Sequence, residues 1–393
     1  MRPDKRGFVA GRTLFLASLA WTAFALAAPP ASAAVNNFYV STRGRDSNDG
    51  IAPEKAWRTI SHASRAIKLG SAGAIIHVAP GIYEENVRIS NSVPGTPGAW
   101  VTYISDVKWA ALIRPPSARS PGIYNNAAYS IIENFDVGGA ECTGIQQDSH
   151  HQIAIGNNVH NSAAGCDNSS GGGGIVDSDW DGRGNSLYAN FVHDVGMVNA
   201  SCESRRNSTI QGIYHEHAGG TIANNVVVNV CDAGISLWHA ASATIIVNNT
   251  IVHNREGIFV GSGNAPCDTT GCSGNDYTSV INNITAFNTE AGIAEGASDG
   301  GRLGAHNRYR NNLTYSNGAS FRLEPACDAC VTTGNPLFVN DTGTASGDYQ
   351  LRSGSPAVGA GTVAYAPSTD YVGEARKAPI TIGAFQSPKC CSR

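Results

Sequence analysis

The sequence reads Gln211-Gly-Ile-Tyr-His-Glu-His217, Thr221-Ile-Ala-Asn-Asn-Val-Val-Val-Asn-Val230, Ala233-Gly-Ile-Ser-Leu-Trp-His239, Thr244-Ile-Ile-Val-Asn-Asn-Thr-Ile-Val-His-Asn254 and Glu256-Gly-Ile-Phe-Val-Gly261. A Gly-Ile unit and an Asn-Asn unit alternate along this stretch. The Gly-Ile pairs begin at Gly212, Gly234 and Gly257, which are 22 and 23 residues apart. A period of this length is typical of a solenoid, in which each coil buries its apolar side against the next. Short apolar runs of period two, separated by Asn, Gly and Ser, predict that the coils are built of β-strands.

Composition supports an all-β protein with many tight turns. The 393 residues include 45 Gly and 17 Pro, and only 15% are charged. Residues 1–33 read as a signal peptide, because basic residues precede an apolar run over 14–26 and Ala31-Ser-Ala33 fits a cleavage site. We therefore expect a secreted or periplasmic protein that keeps no membrane anchor after cleavage.

Charge and cysteine content narrow the class of partner. Without the signal peptide, 23 basic residues remain against 30 acidic ones, a net charge of −7, because the signal holds four basic residues and one acidic residue. This balance argues against nucleic acid as a partner. Ten cysteines in an exported chain predict disulfides. The plausible pairs are Cys142/Cys166, Cys202/Cys231, Cys267/Cys272 and Cys327/Cys330.

The chain divides into four predicted segments. The signal peptide (1–33) precedes an N-terminal cap with the first coils (34–130), central coils with loop insertions (131–330), and C-terminal coils that close the other end (331–393). Ile60, Ala63, Ala66 and Ile67 recur at helical spacing, with Thr59 or Ser61 as the possible N-cap, which predicts one helix that covers the open end of the stack. Asparagines at matching places predict a ladder of side-chain amides: Asn134, Asn157, Asn190, Asn225, Asn249, Asn283 and Asn312.

Aligning the coils on their Gly-Ile pairs predicts which side chains become neighbours. The alignment starts at Gly144, Gly174, Gly212, Gly234, Gly257 and Gly292. Stacked strands lie about 4.8 Å apart, so residues two places after each glycine should form one outward row. That row contains Gln146, Val176, Tyr214, Ser236, Phe259 and Ala294. The same alignment predicts a groove with Glu216 and Trp238 on its floor and Asp179, His217 and His239 along its rim, whereas His215 is predicted to point inward.

Aromatic platforms beside acid and base groups are what a sugar-binding groove requires. Each feature has a plainer structural explanation, since outward aromatics can cover loops and inward histidines can be satisfied core residues. A run of three carboxylates, Asp177-Ser-Asp-Trp-Asp181, leaves Ca²⁺ binding or hydrolase chemistry open. No nucleotide or redox cofactor is implied.

The Gly-Ile and Asn-Asn coils, the signal peptide and the capping helix resemble secreted right-handed parallel β-helix proteins of the pectate-lyase type. The stretch Gly212-Ile-Tyr-His-Glu-His217 is also similar to the catalytic strand of β-helix alginate C5-epimerases, which carries Gly-aromatic-Asp-Pro-His-Glu. Here Tyr214 stands at the Asp place, His215 at the Pro place and Glu216 at the His place. The resemblance implies chemistry on acidic polysaccharides.

We therefore expect a monomeric lyase that cleaves an acidic polysaccharide by β-elimination. Arg255, Arg205 or Arg206 would neutralise the uronate carboxylate, His217 or His239 (with His215 behind them) would act as the base, and Tyr214 or Glu216 as the acid. Trp238, Phe259 and Asp179 would bind the sugar chain. A glycoside hydrolase or C5-epimerase on the same fold, and a non-catalytic glycan-binding protein, remain alternatives.

Overall fold

The structure is a computed structural model that describes residues 35–69, 72–90, 92–116, 120–166, 171–179, 182–199, 201–202, 209–263, 274–324 and 326–388. The signal-peptide prediction lies outside the described residues, as do Arg205, Arg206 and the Cys267/Cys272 pair. Within the described part of the chain, no helix is long and apolar enough to span a membrane.

Almost all regular structure is β. The chain begins with β1 (Asn36–Val40), a 3₁₀ turn (Pro53–Lys55), α1 (Ile60–Ala66), β2 (Ala74–Val78), β3 (Gly81–Tyr83), β4 (Val87–Ile89), β5 (Val101–Ser105), β6 (Ala111–Ile113), β7 (Ile123–Asn125), β8 (Ser130–Glu133) and β9 (Asp136–Gly138). The central coils hold β10 (Thr143–Gln147), β11 (Gln152–Ile155), β12 (Asn158–His160), β13 (Gly172–Asp177), β14 (Ser186–Tyr188), β15 (Phe191–Val195), β16 (Ile210–His215), β17 (Thr221–Ala223), β18 (Val226–Val230), β19 (Ala233–Leu237), β20 (Ile245–Val247), β21 (Thr250–Val252), β22 (Glu256–Ser262), β23 (Ser279–Ile281), β24 (Ile284–Ala286) and β25 (Ala291–Ala297). The last strands are β26 (Arg308–Arg310), β27 (Leu313–Tyr315), β28 (Ala319–Arg322), β29 (Phe338–Asn340) and β30 (Asp348–Leu351).

Three long parallel sheets wind into a right-handed parallel β-helix, which confirms the predicted fold. Sheet A contains β1, β2 and every third strand from β5 to β26; sheet B runs from β3 to β27 and sheet C from β4 to β28. Inward side chains of all three sheets, such as Ile145, Ala154 and Val159, fill one continuous core. Only β29 and β30 pair antiparallel among the named strands.

The predicted helix is present and lies at the head of the stack. Thr59 is its N-cap and accepts a hydrogen bond from the His62 amide through its hydroxyl. The carboxylate of Glu85 accepts from the amides of Ile60 and Ser61, 2.8 and 3.2 Å away. Because α1 packs against β1 and β4, the first strands of sheets A and C, it covers apolar side chains that the end of the solenoid would otherwise leave bare.

The asparagine ladder is confirmed from Asn157 to Asn312 and wrong at Asn134. Each ladder Oδ1 accepts the backbone N–H of the asparagine one coil earlier, at 2.8 to 3.0 Å. At the first coil the ladder place belongs to Phe135, whose amide donates to Asn157 Oδ1, whereas Asn134 precedes it in a left-handed conformation with φ of 62°. A second ladder of Asn254, Asn288 and Asn317 was not predicted.

The C-terminal segment does not close the end of the stack as predicted. Residues 335–386, here called the C-terminal wall, lie along the outside of sheet B. Phe338, Leu351, Ile382 and Phe385 pack on outward residues of that sheet such as Val228. This arrangement explains why β18 is apolar on both faces, since Val227 faces the core and Val228 faces the wall.

Three predicted disulfides are present: Cys142–Cys166, Cys202–Cys231 and Cys327–Cys330.

Candidate functional site

The strand register of sheet C sets the geometry of the site. The pairing confirms the predicted outward row, in which Tyr214 stands opposite Val176 on one side and Ser236 on the other, and Ser236 stands opposite Phe259. A groove of about 890 Å³ lies over this row. Six of the predicted catalytic and sugar-binding residues line it: Tyr214, Glu216, Trp238, His239, Arg255 and Phe259.

Further polar residues that the sequence did not predict also line the groove, among them Gln211, Asp232, Glu256 and Asp299. Gln211 and Glu256 directly precede the glycine of a Gly-Ile pair. Simple alternation would turn them inward, but each strand bends at that glycine, so the glycine and the isoleucine after it both face the core. At Gly234, a Cβ atom would stand 2.3 Å from Ile251 Cγ2 of sheet B. The bend resets the alternation and brings the preceding residue into the groove.

Tyr214, Glu216 and His239 form a polar cluster on the groove floor. Glu216 Oε2 lies 3.6 Å from His239 Nε2, and the rings of Tyr214 and His239 are nearly perpendicular with centroids 6.4 Å apart. Burial raises the pKa of Glu216 to about 7. Burial, and then the neighbouring Glu216 carboxylate, raise the pKa of the Tyr214 phenol above its usual range. The three groups together can accept, hold and donate a proton at one place.

An aromatic platform adjoins this cluster. The rings of Trp238 and Phe259 stack at 6.0 Å with an interplanar angle of 26°. Two glycines let the indole lie flat, because a Cβ on Gly261 would stand 2.5 Å from Trp238 Cε3 and one on Gly263 would stand 2.1 Å from its Cζ2. Such a flat apolar surface suits the apolar face of a sugar ring.

Carboxylates outnumber cations among the described residues that line the groove. Arg255 is a cation of this lining, but its Nη2 already lies 2.5 Å from Asp232 Oδ1, and its Nε lies 3.8 Å from Glu290. Glu256 pairs with Arg322. Burial raises the pKa of Asp232 to about 6, although Arg255 opposes that shift. Arg255, one of the three arginines expected to neutralise the uronate carboxylate, is therefore already paired with two carboxylates.

His217 does not reach the groove, so its predicted place on the rim is wrong. Strand β16 ends at His215, but the chain does not turn outward there, and His217 lies on the same inward side as His215, as period-two alternation would place it. Both imidazoles are buried and face the carboxylate of Asp177, at 2.6 Å from His215 Nδ1 and 3.0 Å from His217 Nε2. Burial would raise the pKa of Asp177, but the two imidazoles hold it below its usual range. Asp179 is not among the groove-lining residues, although its charge acts on His217.

Asp177, His215 and His217 bring three ligand atoms within 4.8 Å of one another. The Gly-Ile alignment could have predicted this cluster, because Asp177 and His215 both stand three places after the glycine of a Gly-Ile pair. The structure pairs the two residues on adjacent strands. Two imidazoles and one carboxylate suit a transition metal better than Ca²⁺, which prefers oxygen ligands.

Comparison with solved structures confirms the class of fold. No protein-family model matches the sequence, and no curated protein sequence matches it. The structure is similar to that of the pectate lyase Pel9A, with a TM-score of 0.54 and 15% identity over 89% of this chain and 96% of that one. It is also similar to a rhamnogalacturonan lyase, with a TM-score of 0.52 and 13% identity over 81% of this chain and 97% of that one. The chain thus has the pectate-lyase type of parallel β-helix.

Proposed function

We propose that this chain is a secreted polysaccharide-modifying enzyme that cleaves an acidic polysaccharide by β-elimination in the sheet C groove. The observation that carries the proposal is the cluster of Tyr214, Glu216 and His239 beside the Trp238–Phe259 platform. The platform supplies a stacking surface for a sugar, and the cluster supplies an acid and a base within reach of it. The similarity of fold to two polysaccharide lyases supports the proposal by analogy.

In the proposed reaction, His239 removes the proton from C5 of a uronate unit. The electron pair left on C5 forms the C4=C5 double bond, the C4–O bond breaks, and the Tyr214 hydroxyl gives its proton to the leaving oxygen. The Glu216 carboxyl, 3.6 Å from His239 Nε2, holds the imidazole in place. Neutralising the reacting carboxylate remains a role for Arg205 or Arg206, or for Ca²⁺.

Arg255 best fits a neighbouring sugar unit. It precedes β22 and stands four residue positions before Phe259, which belongs to the row of Tyr214, so it lies up to about 13 Å along the groove from that row at about 3.3 Å per residue. Its pairs with Asp232 and Glu290 would have to be shared with the incoming carboxylate. We assign Arg255 to binding rather than to the reacting centre.

A glycoside hydrolase is the second candidate, and one observation favours it. The described lining of the groove contains four carboxylates and one arginine, Arg255. The carboxylates are those of Glu216, Asp232, Glu256 and Asp299. An anionic lining repels polyuronates and accepts neutral glycans. In this alternative Glu216 would be the general acid.

Digestion of polyuronates and neutral glycans separates these candidates. A lyase leaves an unsaturated uronate that absorbs in the ultraviolet, a hydrolase yields reducing ends without that absorbance, and a C5-epimerase inverts C5 without shortening the chain. His239→Gln and Tyr214→Phe should each lower turnover by about 10²-fold or more. His253→Gln is the matched control, because His253 pairs with Asp341 away from the groove.

Two results would contradict the lyase proposal. Reducing ends without ultraviolet absorbance would favour the hydrolase. Glycan affinity without turnover on any substrate, unchanged in His239→Gln, would identify a binding protein.

A further inference from the structure

Asp177, His215 and His217 form a cluster beneath the groove that the proposed elimination does not use. Their side chains are at most 1% exposed. Glu216, between the two histidines, turns to the opposite side and lines the groove. Three titratable groups sealed inside a β-helix are costly to bury unless they are fully paired or ligate a cation.

The hydrogen-bond partners of the two imidazoles assign their tautomers. His215 Nε2 lies 2.9 Å from the carbonyl oxygen of Gly219, and His217 Nδ1 lies 3.4 Å from that of Ala218. A carbonyl oxygen only accepts, so each of these nitrogens carries the proton. In neutral imidazoles the remaining nitrogens, His215 Nδ1 and His217 Nε2, then present lone pairs to the carboxylate of Asp177.

Lone pairs facing a carboxylate repel it unless a proton or a cation lies between them. His217 Nε2 is 3.0 Å from Asp177 Oδ1, yet among the described residues it has no partner in hydrogen-bond geometry. A protein imidazole that binds a metal through one nitrogen commonly donates its other N–H to a backbone carbonyl. Both histidines here have that arrangement.

Gln147 supplies an independent observation. It is the strand partner of Asp177 on β10, it is fully buried on the same inward side, and neither its Oε1 nor its Nε2 has a hydrogen-bond partner within the described chain. Leaving both polar atoms of a buried amide without a partner is unfavourable. An additional polar occupant beside Asp177 would satisfy it.

We propose that Asp177, His215 and His217 bind a divalent first-row transition metal of the zinc class in the interior of the β-helix, with Gln147 Oε1 or a water at the fourth position. Imidazole nitrogens and one carboxylate are typical zinc ligands, at about 2.0–2.2 Å. Ligand atoms at that distance stand roughly 3.3 Å apart in a tetrahedron, so the observed 2.6 and 3.0 Å separations require shifts of less than about 1 Å.

The surroundings of the cluster are built to orient the ligands. Asn185 Nδ2 donates to Asp177 Oδ1 at 2.6 Å and to the carbonyl of Ser149 at 2.7 Å, which fixes the carboxylate. Because the site is closed, the metal would enter during folding and its binding energy would stabilise the fold. Such an ion has a structural role, because it fixes the position of the chain segment that carries Tyr214 and Glu216.

Metal content and spectroscopy test this proposal without an activity assay. The full chain is freed of metal by chelator during unfolding, refolded with Zn²⁺, Co²⁺ or Ca²⁺, and desalted. We expect about one Zn²⁺ per chain, a tetrahedral Co²⁺ absorption band in the visible, no retained Ca²⁺, and a Tm several degrees above that of the metal-free form. His217→Gln and Asp177→Asn should lose the bound metal.

Two matched controls, His239→Gln in the groove and His160→Gln on the outer surface, should keep the metal. Less than a tenth of an equivalent of Zn²⁺ and no Co²⁺ band in the wild-type chain would overturn the proposal, and the cluster would then be a hydrogen-bonded ion pair only. Equal zinc in wild type and in His217→Gln would also overturn it, because the ion would then lie elsewhere. If the Asp177 variant fails to fold, the cobalt spectrum of the wild type still decides.

Discussion

Four consecutive residues, from Tyr214 to His217, are divided between two environments of the molecule. Tyr214 and Glu216 line the groove, whereas His215 and His217 face the interior. The sequence predicted the first three placements because a strand alternates strictly. The fourth placement was missed because the strand was expected to turn at His217, whereas His217 lies on the inward side that continued alternation gives, although β16 itself ends at His215.

Glycine at position 261 decides whether the aromatic platform is flat. In Gly261→Ala, the new methyl group would meet Trp238 Cε3 and Phe259 Cε1 at about the 2.5 and 2.4 Å measured for an added Cβ. We expect the indole to tip away and glycan affinity to fall between about twofold and tenfold, with little loss of stability. Binding isotherms and tryptophan fluorescence measure the effect. Gly354→Ala is the control, since its Cβ meets only Leu337 at 3.6 Å; equal affinity in both variants would refute the role of the platform.

Asp136 on β9 should make stability depend on acidity. Burial alone would raise its pKa, but hydrogen bonds from His160, Asn158 and Arg114 outweigh burial and lower the pKa to about 2. A depressed carboxyl pKa stabilises the fold above the unfolded value of about 4, and that stability is lost as pH falls from about 4 through 2. Asp136→Asn should therefore cost about 1–2 kcal/mol at pH 7 and flatten the acid limb of the stability curve.

Chemical denaturation between pH 2 and pH 7 measures that limb. Asp49→Asn serves as the control, because the Asp49–Lys55 pair is exposed and contributes little. An acid limb of unchanged steepness in Asp136→Asn would contradict the assignment.

Among the elements, the ladder of asparagines joins sheets A and B at every coil from Asn157 to Asn312. Asn225 shows its connections. Its Oδ1 accepts from the Asn190 backbone and side chain, and its Nδ2 donates to the Leu187 carbonyl and to Asn249 Oδ1. Asn225→Ala leaves several of these buried groups unpaired at about 1–3 kcal/mol each, so we expect a loss of at least about 3 kcal/mol.

Equilibrium unfolding monitored by circular dichroism tests that loss. Asn134→Gly is the matched control, because Asn134 stands outside the ladder and glycine tolerates its positive φ. A similar small loss in both variants would mean that the ladder contributes no more than an ordinary turn.

Element boundaries show where sequence reasoning works and where it stops. The Gly-Ile strands were predicted because apolar alternation and turn residues define them locally. Residues 83–89 resemble one strand in sequence but belong to two, β3 and β4, because the coil turns a corner between Glu84 and Asn86 that no local signal separates from a straight run. The second ladder escaped prediction because Asn254, Asn288 and Asn317 follow isolated turns rather than the repeated Asn-Asn pairs.

At the scale of the whole molecule, the C-terminal wall is the part that sequence could not place. Its partners are outward residues of sheet B and turn residues between sheets A and B, some of them more than a hundred residues earlier in the chain. Asn248 Nδ2, for example, donates to the carbonyl oxygens of Thr381 and Gly383. Arg376 is buried and donates through Nη2 to Asn224 Oδ1 at 2.8 Å. Nothing within the local sequence of the wall indicates which face it covers.

Placing a charge in the wall should detach it. In Ile382→Asp, a carboxylate without a partner would replace a fully buried side chain, and we expect a loss of about 3–5 kcal/mol together with aggregation through the uncovered face. Thermal unfolding and light scattering measure the two effects. The exposed Lys377→Ala in the same wall should leave both unchanged, and a soluble Ile382→Asp variant with wild-type Tm would show that the wall is dispensable.

The position of the C-terminal wall also predicts the order in which parts of the molecule fold. Each coil closes over some twenty to thirty-five residues, whereas the Asn224–Thr369 bond joins groups 145 residues apart. Contacts of such long range form slowly, because the entropy of closing the intervening loop is lost first. Refolding should therefore show an early phase, in which the coils stack, and a late phase, in which the C-terminal wall docks on sheet B. Between the two phases the outward valines of sheet B remain exposed to solvent. During that interval dilution, rather than added stabiliser, decides how many chains reach the native state.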